Sequence, residues 1–193
     1  GVALSVQVIQ IAGTSGSGKS HLMRSFMDTL AQKAPWLEEH AQGRVRPIGY
    51  TWRGPSGVRL FVPGAYDSPT GGCDTIKDVT QVFSLVRERY QEGFDVVFEG
   101  LFCMNQTRAP QLVASVDHNY HVLYLTTPLA TCMASIDSRR AERGVGKLEK
   151  KDNTVGNYKR ARNFCLSMRE AGAKVHKVSR DEGLDKLQEI LDV

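Results

Sequence analysis

Apolar residues recur along the chain in two spacings, and the two spacings alternate. Short apolar runs typical of buried strands occupy residues 6–11, 94–100, 120–125 and 174–178. Apolar residues at helical spacing predict helices over residues 21–30, 75–91, 106–118, 128–143, 153–171 and 182–191. Strands that alternate with helices are typical of a mostly parallel sheet with helices on both faces. We therefore expect an α/β fold with five parallel strands in its core, of which these runs supply four.

Residues 44–75 break this alternation. Two short β-like runs, 44–52 and 58–62, flank the turn Arg53-Gly54-Pro55-Ser56-Gly57, which predicts a β-hairpin. A glycine-rich loop then leads into the next helix, whose expected N-cap is Asp74 or Thr75. We interpret this segment as an excursion from the core sheet within one domain that spans residues 1–193.

The most specific motif lies between the first predicted strand and the first predicted helix. The octet Gly13-Thr14-Ser15-Gly16-Ser17-Gly18-Lys19-Ser20 fits the phosphate-binding P-loop pattern G-x-x-x-x-G-K-[ST] at every fixed position. The glycines let backbone N–H groups turn toward phosphates, and the helix N-terminus adds positive charge. Lys19 is expected to reach the β- and γ-phosphates of ATP, and the Ser20 hydroxyl to bind Mg²⁺. The alternative is a glycine-rich turn without a ligand, against which the flanking strand and helix argue.

Composition narrows the class of protein. The chain of 193 residues is long enough for a single domain with a substantial core. No apolar run approaches the ~20 residues of a membrane span and no leader is visible, so we expect no membrane partner. The four cysteines form no C-x-x-C pair, which argues against a zinc site and fits a reducing cytoplasm. The net charge of +4 favours a polyanionic partner only mildly.

A glutamate at the end of a predicted strand restricts the class of P-loop protein to which the chain could belong. Glu99 closes the apolar run 94–100, where a carboxylate would lie beside the P-loop strand and near Mg²⁺. A helix cap or a surface ion pair is the alternative role for Glu99. No N-K-x-D tetrad is present to read a guanine base, and the chain is too short for a motor or helicase.

Arginines cluster at the end of the helix predicted at 128–143. Arg139, Arg140 and Arg143 precede a polar loop, and residues 139–157 are expected to form a lid. Mobile arginines that close over a transferred phosphoryl group neutralise its spreading charge, and their forked geometry suits phosphate oxygens. A solvated helix end favoured by the helix dipole is the alternative.

The glycine-rich loop after the hairpin is the expected acceptor site. Asp67 is a candidate base for an attacking hydroxyl, and Tyr66 could stack on a base. Gly71 and Gly72 would let the backbone approach the acceptor, beside Asp74. An Asx-turn at Asp67 and a helix cap at Asp74 are the alternatives.

Three further basic features follow the acceptor loop. Arg108 could bind an acceptor phosphate or lie on the surface, and Arg180 could border the nucleobase. A third, basic patch would either track a phosphate backbone or be a solvated face. It comprises Lys147, Lys150, Lys151 and residues 158–162.

These motifs together resemble the nucleotide-kinase branch of P-loop NTPases. The resemblance rests on 13–20, Glu99-Gly100, Leu125-Thr126-Thr127-Pro128 with Cys132, and 139–144, and it covers nearly the whole chain. Within that branch, Tyr66-Asp67 and Gly71-Gly72-Cys73-Asp74-Thr75-Ile76 look most like bacteriophage kinases of 5-hydroxymethyluracil in DNA. The chain has Glu99-Gly100-Leu101-Phe102 where adenylate kinases carry an aspartate, glycine, phenylalanine, proline run.

The resemblance implies a nucleotide-kinase-like fold with a five-stranded mostly parallel sheet, an acceptor insertion and a lid. It implies an ATP- and Mg²⁺-dependent kinase in which Lys19 and Ser20 serve ATP and Mg²⁺, Asp67 is the base, and Arg139 and Arg143 are lid cations. The implied partner is 5-hydroxymethyluracil DNA in the host cytoplasm, and Tyr66, Trp52 and Phe61 are candidates to stack on an extruded base. A kinase of free nucleosides, nucleotides or other small hydroxyl compounds and a nucleotide-binding switch remain alternatives.

Overall fold

A seven-stranded sheet forms the centre of the computed structural model, which describes residues 5–69, 71–146 and 152–193. The strands, in sheet order, are β2, β3, β4, β5, β1, β6 and β7. Their bounds are β1 Val8–Ala12, β2 Trp36–Glu39, β3 Gly49–Arg53, β4 Arg59–Pro63, β5 Asp95–Glu99, β6 Tyr120–Leu125 and β7 Lys174–Val178. The five strands from β4 to β7 in this order are mutually parallel, whereas β3 pairs antiparallel with both β2 and β4.

Helices cover both faces, as the sequence predicted. They are α1 Lys19–Ala31, α2 Val79–Gln91, α3 Arg108–Ser115, α4 Leu129–Glu142, α5 Asp152–Glu170 and α6 Gly183–Leu191. Apolar side chains of α1 and α6 pack into one core, and those of α2, α3 and α5 into a second core across the sheet. Successive side chains along a strand point to opposite faces of the sheet and so pack into different cores. Both faces of the central strands are therefore buried.

The hairpin extends the sheet, so its interpretation as an excursion is wrong. Strand β4 pairs parallel with β5, with Leu60 opposite Asp95 and Phe61 opposite Val96. Trp52 and Phe61 are buried in the core, and Trp52 Nε1 donates to the carbonyl oxygens of Leu30 and Ala34. Neither ring can stack on a substrate base, which corrects the expectation for both. Burial of these large rings on the two faces is what holds the hairpin in the sheet.

The start of α2 also differs from the prediction. Residues Cys73–Thr75 form a 3₁₀ turn and Ile76 is extended, so the helix begins at Val79. Its N-cap is Asp78, whose carboxylate accepts a hydrogen bond from Thr80 N at 2.8 Å. Asp74 is therefore not a helix cap, and its carboxylate is available for other contacts.

The sheet fixes the relative positions of two motifs. Ile11 at the end of β1 pairs with Glu99 at the end of β5, so the P-loop and the Glu99 carboxylate share one edge of the sheet. This juxtaposition was predicted and is confirmed by the strand register. Among the residues that the structure describes, no helix is long and apolar enough to span a membrane.

Asp95 at the start of β5 gives a test of this core. Burial raises the pKa of Asp95 to about 6, although Gln7 N donates to its Oδ1 at 2.6 Å. The carboxylate therefore destabilises the folded state as pH rises through the window from about 4 to about 6. At about pH 7.5 we expect Asp95→Asn to raise the free energy of unfolding by about 1–2 kcal/mol, discounted because the group is partly exposed.

The measurement is urea unfolding at several pH values, beside the exposed control Asp28→Asn. The gain from Asp95→Asn should disappear below about pH 4, where both folded and unfolded Asp95 are protonated. A gain that is independent of pH would show that hydrogen bonding, and not ionisation, distinguishes the two side chains.

Candidate active site

A cleft of about 670 Å³ opens at the carboxyl edge of the parallel strands. Its walls come from the P-loop and α1, from the acceptor loop of residues 63–75, from the end of β5, from α4 and from the loop after β7. This is the edge at which ligands bind in open α/β sheets. The volume is in the range of sites for small molecules and cofactors.

The P-loop is packed closely against α4, and its glycines make that packing possible. Gly16 has φ +80°, and a Cβ on it would overlap the carbonyl oxygen of Cys132. Gly18, with φ +104°, caps the start of α1 and leaves room for the Arg180 side chain. Left-handed backbone and close approach together require glycine at both positions.

Lys19 is held inside the P-loop by the loop's own carbonyls. Its Nζ donates to the carbonyl oxygens of Gly13 at 2.7 Å and Thr14 at 3.0 Å, and the side chain is 8% exposed. An ammonium has three N–H donors, so one remains for a phosphate oxygen. Burial lowers the pKa of Lys19, and the negative charge of Glu99 opposes that change. A poorly hydrated cation of this kind interacts strongly with a phosphate.

Glu99 lies beside the P-loop and is within hydrogen-bond distance of two neighbouring hydroxyl groups. Ser20 Oγ lies 3.3 Å from Glu99 Oε1, and the Tyr66 hydroxyl donates to the same oxygen at 2.7 Å. The carboxylate is 2% exposed, and burial raises the pKa of Glu99, opposed chiefly by Lys19. Burial and the carboxylate keep the pKa of Tyr66 well above its usual value, so the phenol remains a donor.

The donor set beside the P-loop fits Mg²⁺. Ser20 Oγ and Glu99 Oε1 are hard oxygen donors at hydrogen-bond distance, and both residues line the cleft. Mg²⁺ is commonly held by one or two protein oxygens together with waters and substrate phosphates. No group of three or more His, Cys, Asp or Glu that could hold a metal occurs among the described residues.

Two arginines supply further positive charge to the cleft. Arg180 Nε donates to the carbonyl oxygen of Ser17 at 3.0 Å, and its Nη2 donates to the carbonyl oxygen of Gly16. The same nitrogen donates to Ser135 Oγ on α4 at 3.0 Å, so Arg180 joins the P-loop to that helix. Arg139 also lines the cleft, and its pKa is lowered by burial and by the neighbouring arginines.

The acceptor loop is attached to α1 and to the turn after β5. Arg24 donates to the carbonyl oxygens of Ser68 and Pro69, and its guanidinium lies 5.4 Å from the Tyr66 ring centroid. The Asp74 carboxylate accepts hydrogen bonds from Leu101 N at 2.8 Å and Phe102 N at 3.1 Å. Asp74 therefore lies on the cleft wall between the acceptor loop and the end of β5.

The chain is similar in sequence to known proteins over most of its length. A family model described as "AAA domain" matches residues 8–163. The chain belongs to this family of P-loop kinase-like proteins.

A relative of this P-loop kinase, described as "5-hmdU DNA kinase" and from Pseudomonas phage PaMx11, is 33% identical over 187 residues. The alignment covers 96% of this chain and 97% of the relative. A solved gluconokinase from Sinorhizobium meliloti 1021 is similar with a TM-score of 0.44 and 12% identity. That similarity covers 98% of this chain and 96% of the gluconokinase.

Most of the predicted site residues of the kinase lie at the cleft. Those that line it are Ser15, Gly16, Gly18, Lys19, Ser20, Gly71, Asp74, Glu99 and Arg139. Gly13, Thr14 and Ser17 complete the P-loop behind this surface, and the Thr14 and Ser17 hydroxyls are buried without a hydrogen-bond partner among the described residues. Gly72 packs against Glu99, since a Cβ there would overlap the carboxylate.

Tyr66 is not among the residues that line the cleft, although its hydroxyl contacts Glu99, and its stacking role remains a prediction. Three other predicted site residues lie elsewhere. The Asp67 carboxylate accepts from Arg46 Nε at 2.9 Å and Nη2 at 2.5 Å, is not among the residues that line the cleft, and has its pKa lowered by that pairing. Arg143 is exposed at the end of α4, and Arg108 lies at a second cavity between α2 and α3. Their roles as base, lid cation and acceptor ligand remain predictions.

The lid and the basic patch fall partly outside the described residues, which exclude Lys147, Lys150 and Lys151. In the described part of the patch, Ala161 is buried in the core, whereas Lys159, Arg160 and Arg162 are exposed.

No sequence pattern pointed to Arg24, which is one polar residue of an amphipathic helix.

Proposed function

We propose that this kinase transfers the γ-phosphoryl group of ATP to the hydroxymethyl group of 5-hydroxymethyluracil in phage DNA, a step in thymidine hypermodification. The alignment with the phage kinase carries this proposal, because it spans 96% of this chain and 97% of the relative. It therefore includes the acceptor loop as well as the P-loop. The reaction would take place in the cytoplasm of the infected bacterium.

The residues of the cleft can stabilise the charge of such a transfer. The P-loop amides and the Lys19 ammonium would bind the β- and γ-phosphates, and Arg139 and Arg180, which also line the cleft, would offset the same charge. Ser20 and Glu99 would hold Mg²⁺, which offsets phosphate charge when bound. Because phosphoryl transfer needs mainly positioning and electrostatic stabilisation, this set supplies the main part of the chemistry and leaves a proton acceptor to be assigned.

The acceptor hydroxyl needs a carboxylate to receive its proton. Asp74 is a cleft residue, and the backbone N–H groups of Leu101 and Phe102 fix its side chain. Asp67 is exposed and paired with Arg46 in this arrangement. We therefore favour Asp74 as the residue that accepts the proton, with Asp67 as the competing candidate.

Two isosteric variants separate these candidates. We expect Asp74→Asn to lower kcat by about 10²- to 10⁴-fold, the usual contribution of a general base. Asp67→Asn should change kcat by less than about threefold, because it removes only an exposed ion pair. Single-turnover phosphorylation, with the thermal midpoint as a folding control, makes the comparison. The reverse order of effects would assign the base to Asp67.

A base in duplex DNA must leave the stack before its substituent can reach a nucleotide in a cleft. The decisive experiment supplies labelled ATP, Mg²⁺ and either DNA that contains 5-hydroxymethyluracil, matched thymine DNA, or the free nucleoside and nucleotide. We expect label only on the modified DNA, and digestion with mass spectrometry should identify a phosphorylated hydroxymethyl group. Label confined to free nucleosides or nucleotides would reject DNA as the acceptor.

A further inference from the structure

A second cavity, of about 140 Å³, lies between α2 and α3, outside the cleft. Its floor is apolar, because Phe83 and Leu112 are both buried there. Its walls are polar and are formed by Thr80, Ser84, Arg87, Arg108, Gln111 and Ser115. Two guanidinium groups, three hydroxyls and an amide therefore border a space large enough for one phosphate group.

No acidic side chain of the described residues forms an ion pair with the arginines of this second cavity. Within residues 5–69, 71–146 and 152–193, the guanidinium groups of Arg87 and Arg108 make no hydrogen bond, ion pair or ring contact. Arg24, Arg44, Arg46, Arg59, Arg89 and Arg180 donate to protein oxygens, whereas Arg87 and Arg108 are exposed and keep their donors for solvent or a ligand. Two unpaired cations that border one cavity attract a divalent or bridging anion, and the guanidinium fork matches phosphate oxygens.

An anion in the second cavity would be bound by the arginine and hydroxyl side chains and not by the N-terminal amides of α2 and α3. The Asp78 carboxylate already accepts from Thr80 N at the start of α2. Asn105 Oδ1 accepts from the backbone N of Thr107 and Arg108 at 2.9 and 2.8 Å at the start of α3. Since the first amides of both helices are capped, the arginines and hydroxyls are the donors that remain for a ligand.

The second cavity is connected to the active site through a fixed turn. Helix α2 follows the acceptor loop and α3 follows the turn after Glu99, so both helices begin at the carboxyl edge where the cleft opens. Asp74 joins the two segments through its bonds to Leu101 N and Phe102 N. Leu101 lines the cleft, while the Phe102 ring on the same turn is 60% exposed. Exposed aromatic rings on which bases stack, together with cationic groups that bind phosphates, are the usual means of binding single-stranded DNA.

We propose that the Arg87–Arg108 cavity binds a backbone phosphate of the DNA strand that carries the base being phosphorylated. This inference rests on the proposed function, which supplies the DNA substrate. A phosphodiester fits the unpaired guanidinium groups, and the exposed Phe102 ring is a candidate to stack on a base of the same strand. The cavity would therefore act in DNA binding and leave ATP binding to the cleft.

The test compares the double variant Arg87→Gln/Arg108→Gln with Lys33→Gln/Arg169→Gln, which removes the same charge at exposed positions. Fluorescence anisotropy with a labelled 5-hydroxymethyluracil oligonucleotide measures binding over a range of salt concentrations. We expect the cavity variant to bind about 10- to 100-fold more weakly, with a salt slope lower by about one for each phosphate that is no longer neutralised. The control should retain most of the affinity, and Arg87→Lys/Arg108→Lys should restore part of it.

Two further readouts separate the possible failures. The KM for ATP and acceptor-independent ATP hydrolysis should be unchanged in the cavity variant, since neither arginine lines the cleft. If the wild type phosphorylates DNA while the cavity variant binds it with unchanged affinity and salt slope, the phosphate site is wrong and the proposed function stands. If the cavity variant binds a free nucleotide more weakly than the wild type but binds DNA equally well, the site takes a mononucleotide and the DNA assignment is overturned. If the wild type neither binds nor labels DNA, both proposals fail.

Discussion

Lys19→Met lowers phosphotransfer by at least about 10³-fold, the expected loss when a cation that faces the transferred group is removed from a P-loop. The ammonium is buried and donates to the Gly13 and Thr14 carbonyls, which hold it inside the P-loop. Methionine retains the length and the apolar stem of lysine. The variant therefore removes the charge with little change in packing.

Stability and catalysis should respond in opposite directions to Lys19→Met. Burial lowers the pKa of Lys19, so the folded state carries a cost for the charged form at neutral pH. Unfolding of Lys19→Met should then need at least as much denaturant as unfolding of the wild type, while product formation nearly vanishes. The exposed control Lys33→Met should leave both quantities unchanged. Equal activity of Lys19→Met and wild type would contradict a phosphate-binding role for the loop.

Glu99→Gln is expected to lower kcat by about 10²- to 10⁴-fold, because the amide cannot supply the negative charge that Ser20 and Mg²⁺ need beside the P-loop. Glutamine can still accept from the Tyr66 hydroxyl, so the cleft wall should keep its shape. The exposed Glu88→Gln is the matched control on α2. Initial rates at varied Mg²⁺ concentration measure both variants, and we expect the apparent Mg²⁺ requirement to rise only for Glu99→Gln.

The pH dependence provides a second test of Glu99. Burial raises the pKa of this carboxyl in the absence of Mg²⁺, whereas bound Mg²⁺ would lower it, so the pH at which the wild type loses activity in acid should fall as the Mg²⁺ concentration rises. The residual activity of Glu99→Gln should lack this acid limb. Rising pH should affect the stability of the folded state in the opposite direction to its effect on activity. The raised pKa means that folded wild type loses stability as pH rises through that range, so the variant gains relative stability there. An acid limb retained in Glu99→Gln would assign the titration to another group.

The P-loop was predictable because its requirements are local. Gly16 and Gly18 have left-handed φ values, and Lys19 and Ser20 begin the helix at a fixed offset from them. A short sequence can specify all of this without distant contacts. The position of Glu99 was also predictable, since an acid at the carboxyl end of a parallel strand lies at the same edge as the P-loop.

The acceptor side was less predictable because it depends on partners far away in sequence. Asp67 and Asp74 both occur in one glycine-rich loop, and their local patterns do not distinguish them. Arg46 pairs with the first, whereas the second contacts the turn after β5. Arg180 contacts the P-loop across more than 160 residues, which no local spacing could indicate.

The sequence alone determined the alternating α/β pattern, the P-loop and the position of Glu99 beside it. Strand burial, helix periodicity and positive φ depend on neighbouring residues, so a short stretch of sequence is enough to specify them. Three-dimensional packing was needed to establish that the hairpin joins the sheet, that Trp52 and Phe61 are core residues, and that Arg180 supports the P-loop. These outcomes depend on which distant surfaces bury one another and which charges then remain unpaired. The same packing places Arg87 and Arg108 around a cavity of their own.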